Sequence, residues 1–179
     1  MLGLVYSDLH ETSQAQEAFE RSLRLNSSDP DANHNYAWFL CENKREEESI
    51  RYFLLAVRHP LYATPQKSYA MAAICAQRAN KPRDAEEYLE RALRLDPNYT
   101  PALINLAHAK FRRGELTAAR DLVGRYNKLS EPTAESLWLG LRIERKRGNS
   151  SAVTSYASQL RRSFPGSKEY QEMQKGRFE

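Results

Sequence analysis

The sequence predicts an all-α fold, a solenoid of stacked helical hairpins forming a single domain over 1–179, and three observations carry that prediction. Small residues recur at a constant interval: Gly3 to Ala37, Ala73 to Ala107 and Ala107 to Leu141 are each 34 residues apart, and Ala37 to Ala73 is 36. Other positions keep the same phase. Twelve residues further on stand Ala15, Ser49, Ala85, Ala119 and Val153; four beyond those stand Phe19, Phe53, Leu89, Val123 and Ala157; then come Ser22, Ala56, Ala92, Tyr126 and Leu160. Prolines punctuate the ends of the copies at Pro30, Pro60, Pro97, Pro132 and Pro165. A period of this length marks an array of helical hairpins, none of which can bury its apolar face alone.

Taken in order, the first repeat (about 1–29) is partial and begins in mid-helix at Met1. The second (30–64) starts at Pro30 and ends in "RHPLYATPQKS", where the two extra residues fall. Pro60 and Pro65 forbid a continuous helix through that junction. The third repeat runs over 65–97 and the fourth over 98–132. The clearest copy, "ERALRLDPNYTPALINLAHAKFRRGE", shows a helix, an Asp-Pro break and a second helix ended by Gly114. The fifth (133–165) has Gly148 at the equivalent place, and glycine at such a position ends a helix. The remaining 166–179, with "SKEYQEMQKGRFE", reads as a polar capping helix. The pattern resembles the tetratricopeptide repeat (TPR), whose units stack into a right-handed superhelix. In that arrangement the small residues let two helices approach, and Phe19, Phe53 and Leu89 wedge between neighbouring repeats.

Composition narrows the function. Lys and Arg number 27 against 23 Asp and Glu, a net charge of +4 with both signs interspersed. No dedicated nucleic-acid surface is expected from that pattern. No run of about 18 apolar residues could span a membrane, and "MLGLVYSDLHE" lacks the features of a signal peptide. The histidines, His10, His34, His59 and His108, are dispersed, so no metal site is expected. There is no C-x-x-C, H-E-x-x-H, phosphate-binding loop or nucleophile elbow. The expectation is a non-enzymatic protein with no cofactor and no small-molecule substrate.

The two cysteines, Cys41 and Cys75, fall on the first helices of neighbouring repeats, offset by two places. Two places mean about 200° of rotation on an α-helix, so one side chain points forward and the other back. Helices packed about 8–10 Å apart then bring a facing pair within disulfide reach. Two buried, reduced thiols are the competing reading.

A longer set of residues surrounds that pair. "NHNYAWFLCENKREEESIRYFLLAVRHPLYATPQKS", with Trp38-Phe39-Leu40-Cys41, "PLYATP" and the later Cys75, resembles the tetratricopeptide outer-membrane lipoproteins of type IV pilus biogenesis, the PilF/PilW pilotin family. The likeness continues through "LERALRLDPNYTPALINLA" and "LRRSFPGS" and so covers nearly the whole chain. Ala37 stands where the family pattern has glycine. The resemblance implies a periplasmic scaffold that helps a secretin pore assemble or stabilises the pilus fibre. Secretin or other pilus assembly components would be its protein partners. It implies the Cys41–Cys75 bond as well, and an outer-membrane association through an N-terminal lipid anchor that this sequence does not contain.

A partner would lie along the first helices of the repeats. That lining is expected to include His34, Asn35, Trp38 and Glu42, then Ile74 and Arg78, then Ile104, His108 and Arg112, then Trp138, Arg142 and Lys146. Aromatic and aliphatic patches beside cations suit a segment with apolar anchors and some acidic residues. Two alternatives stand beside this one. The first is a generic TPR assembly adaptor in another secretion pathway. The second is a co-chaperone clamping a C-terminal carboxylate, for which Asn35 and Lys67 fit, but Met71 occupies the place of the clamp arginine.

Overall fold

The structure, a computed structural model, describes residues 2–178; Met1, where the first repeat was expected to begin, and Glu179 lie outside the described residues. Among the described residues there are eleven α-helices and no strand. They are α1 (Leu2–Asp8), α2 (Thr12–Leu25), α3 (Pro30–Glu42), α4 (Glu46–Ala56), α5 (Pro65–Arg78), α6 (Pro82–Leu95), α7 (Thr100–Arg112), α8 (Leu116–Leu129), α9 (Ala134–Lys146), α10 (Ser150–Ser163) and α11 (Lys168–Gln174). The chain forms two compact units, Met1–Pro97 and Asn98–Glu179. In the first, α1/α2, α3/α4 and α5/α6 are antiparallel hairpins, α2 packs on α3 and α4 on α5, and the leading helices α1, α3 and α5 are neighbours. In the second, α7/α8 and α9/α10 are the hairpins, α8 packs on α9, α7 lies beside α9, and α11 sits against α9 and α10.

The helix starts follow from the chain's own chemistry. Asp29 caps α3 by accepting from the Ala32 amide at 2.9 Å, with Pro30 in the first turn. Thr133 and Ser136 form a reciprocal capping box on α9. Each cap satisfies an amide that the helix itself leaves free.

The ends of the leading helices share one device. The amides of His10, Lys44, Asn80, Gly114 and Gly148 each donate to the carbonyl three residues back, and the next amide donates to the carbonyl five residues before it. This paired closure requires a left-handed residue. The five φ values are 60°, 62°, 57°, 78° and 76°. Gly114 and Gly148 adopt that conformation freely, whereas His10 and Lys44 carry a side chain into it. The five positions keep the repeat spacing, so a hidden conformational period accompanies the visible one.

Phe19 is buried between repeats, its ring 5.7 Å from that of Tyr36 and 5.3 Å from that of Phe39. Tyr52 stands edge-on to Tyr36 at 4.8 Å. Ring pairs at these separations add to what their buried area contributes. Phe53 is fully buried and meets the His34 ring at 5.3 Å.

The fifth repeat departs from the register expected at Leu141 and Ala157. The close approach there is made by Gly140, whose added Cβ would lie 2.6 Å from the Tyr156 ring. Gly3 stands in the same relation to Phe19, at 2.7 Å. Leu141 is itself buried and too large for a helix-contact position, so the preceding glycine admits the Tyr156 ring.

Candidate partner-binding surfaces

In the first unit the leading helices α3 and α5 bring Trp38 and Glu42 beside Ile74 and Arg78. Trp38 and Ile74 are half-buried, while Glu42 and Arg78 are exposed. The Arg78 guanidinium donates to Glu42 Oε1 at 2.7 Å and lies 5.7 Å from the Trp38 ring centroid. It thereby holds a cation over the ring of a half-buried tryptophan. Asn35, also half-buried, lies one position after His34 on α3.

Cys41 and Cys75 are both buried and stand in disulfide contact, with Cα atoms 5.9 Å apart. They lie across the seam between α3 and α5, immediately behind Arg78, whose Nη1 approaches the Cys41 carbonyl at 3.5 Å. The two-place offset along the helices is what turns the pair face to face.

His34 is not part of an exposed lining. It is 7% exposed, and its Nδ1 shares a hydrogen bond of 2.7 Å with Ser68 Oγ on α5. Ser68 Oγ in turn meets the Tyr62 hydroxyl at 2.9 Å. Tyr62 comes from the junction with the two extra residues and is itself buried. Removal from water, helped by the nearby Lys67 charge, lowers the His34 pKa from 6.5 to about 4, so the ring is neutral at ordinary pH. The inserted junction thus supplies the group that closes a buried polar chain between α3 and α5.

In the second unit Ile104 is likewise buried, at 8% exposure, and belongs to the core rather than to a surface. His108 Nε2 meets Glu135 Oε1 at 2.8 Å, and that hydrogen bond holds the Glu135 carboxyl below its usual range. Arg112 and Lys146 are exposed. The side chains of Arg142 and Lys146 lie over the Phe111 ring, at 4.6 Å and 4.9 Å from its centroid. Burial pushes the Arg142 guanidinium pKa down.

Trp138 has an occupant. The chain leaves α11 through a left-handed turn at Gly176 (φ 68°) and returns to α9. The Phe178 ring lies 5.4 Å from that of Trp138 and 4.1 Å from the Arg145 guanidinium, and the Phe178 carbonyl accepts from Arg142 Nε at 3.1 Å. Sequence reading treats this segment only as a polar cap. The one signal against that is a phenylalanine following a glycine turn in an otherwise polar run. Among the described residues no group of three or more His, Cys, Asp or Glu side chains is placed to hold a metal ion.

Known proteins share this fold. The Tetratricopeptide repeat family matches residues 1–66 and again residues 76–135. The Type IV pilus assembly protein PilF of Pseudomonas aeruginosa is 31% identical over 173 residues, covering 97% of this chain and 69% of that protein. The crystal structure of PilW, described as a widely conserved type IV pilus biogenesis factor, superposes with a TM-score of 0.84 at 34% identity, covering 97% of this chain and 80% of that one. A Pseudomonas aeruginosa PilF structure gives a TM-score of 0.88 at 30% identity, over 98% of this chain and 79% of the other. The chain is a tetratricopeptide-repeat protein and belongs to the PilF/PilW family of type IV pilus biogenesis proteins.

Proposed function

We propose that this chain is a non-enzymatic scaffold that assists secretin assembly or stabilises the pilus fibre on the periplasmic side of the outer membrane. The observation that carries the reading is the likeness to two pilus biogenesis factors over 97% of the chain or more. The half-buried tryptophans and the arginines beside them on the leading helices support it, since Trp and Arg dominate the binding energy of protein interfaces. A Cys41–Cys75 bond in the working protein supports an oxidising compartment. The family resemblance supports attachment to the membrane through a lipid anchor; no helix among the described residues is long and apolar enough to cross a bilayer.

The docking surface in the first unit centres on Trp38, flanked by Arg78, Ile74 and Asn35. In the second unit it comprises Trp138, Arg142, Arg112 and His108. The test is retention of secretin from an outer-membrane extract, detected with antibody, by the wild-type chain and by Trp38→Ala. Loss of a central aromatic anchor weakens binding by about 2 kcal/mol or more, roughly thirtyfold. Secretin held by the wild type and lost by the variant is the expected result. Equal retention moves the docking surface off α3 and α5. No retention of secretin or pilin by the wild type favours an adaptor in a different assembly pathway.

A further inference from the structure

We propose that Trp138, Arg142 and Arg145 form a receptor slot for an extended, phenylalanine-bearing peptide segment of a partner, and that the chain's own Phe178 occupies the slot until such a segment displaces it. This deepens the docking reading for the second unit and rests on it. The three slot residues are four and three positions apart on α9 and therefore share one face of the helix.

The contacts define what the slot recognises. One is an aromatic ring, received by Trp138 on one side and by the Arg145 guanidinium at 4.1 Å. The other is a main-chain carbonyl, received by Arg142 Nε at 3.1 Å. Neither contact needs a side chain other than phenylalanine, and neither needs the covalent tether. Any segment presenting a phenylalanine with its own carbonyl meets the same requirement. Cation–ring contacts and stacking of this kind are each worth only about 0.5–2 kcal/mol.

The tail is correspondingly lightly held. Apart from the Phe178 contacts, the ion pairs of the tail among the described residues lie within the tail itself, where Lys175 and Arg177 approach Glu172 at 3.6 and 3.8 Å on the surface. Pairs so exposed contribute little. The tether, rather than strong contacts, keeps the slot filled: a short linker holds its ligand at roughly millimolar effective concentration. The helix α9 brings Arg142, Arg145 and Lys146 to this region, and Glu172 of α11 is the acidic residue lining the slot. An incoming segment with a net acidic charge would therefore be attracted more strongly than the tail, whose Lys168, Lys175 and Arg177 offset Glu169, Glu172 and Glu179.

The test uses the full chain carrying Trp38→Phe, so that Trp138 alone reports by fluorescence, with and without Phe178→Ala. The probe is the capped peptide Gln174–Phe178 of this chain, with the same peptide bearing alanine for phenylalanine as control. The expected result is a saturable change in Trp138 emission, with binding roughly two- to tenfold tighter in Phe178→Ala, because the tethered competitor is gone. The control peptide does not bind, and adding Arg142→Ala to Phe178→Ala weakens the authentic one. Equal affinity with and without Phe178, or no saturable response in Phe178→Ala, overturns the proposal. Its failure is separable from failure of the pilus assignment. Tighter peptide binding without secretin retention removes only the assignment, and secretin retention without any effect of Phe178→Ala removes only the slot.

Discussion

His34 shows how one side chain can be both legible and misread. Its position on the leading helix of the second repeat follows from counting, and counting alone puts it on the partner side. The tertiary structure buries it against Phe53 and Ser68, because Tyr62 closes over the site from a junction nearly thirty residues away along the chain. A pH dependence follows. The unfolded chain takes up a proton at His34 near pH 6.5, while the folded protein resists protonation down to about 4. Stability from this group is therefore complete above about pH 6.5, falls as the pH drops toward 4, and flattens below. The integrated loss is roughly 3 kcal/mol. Urea unfolding of the wild type and of His34→Asn, followed across that window, measures it: the wild type loses stability faster than the variant, and parallel curves would refute the assignment.

At the scale of the helix, the repeated closure of the leading helices makes a stability prediction that no contact inventory would make. Lys44 occupies the left-handed position that glycine holds at 114 and 148, with φ 62°. Its conformational cost is about 1 kcal/mol or more relative to glycine. Lys44→Gly is expected to raise stability by about 1 kcal/mol, read as a higher midpoint in urea with an unchanged slope. Asn80→Gly should gain less, because asparagine tolerates this region better than lysine. The register of these closures was visible only where glycine stood. Lys44 carries no compositional mark of the same turn and His10 and Asn80 only a weak one, so backbone geometry is needed to reveal it. The packing register of the fifth repeat was hidden for a different reason. Gly140 and Leu141 are adjacent, and deciding which one meets Tyr156 needs the opposing helix.

Across the whole molecule, an array held by nearest-neighbour contacts has stability that is distributed rather than global. A bond between Cys41 and Cys75 closes a separation of 34 residues within the first unit. In the chain-entropy account such a closure stabilises by about 3.5–4 kcal/mol. Cys75→Ser, or reduction, is expected to lower amide-exchange protection in α3 to α5 by up to that amount and to leave α9 and α10 much less affected. Intact mass before and after reductant supplies the independent check on the bond. Uniform loss of protection across both units would contradict a local role for the pair.

Periodicity in the sequence by itself determined the all-α class and the hairpin spacing, and it set the two cysteines two places out of step on neighbouring leading helices. Each of these follows from positions repeated at a fixed interval, and a repeat writes the same constraint several times. The tertiary structure alone decided that His34 and Ile104 turn inward, that Gly140 rather than Leu141 makes the close helix contact, and that Phe178 returns to cover Trp138. Those outcomes depend on single residues meeting others far along the chain, where no period exists to announce them and only the competition for buried space selects the partner.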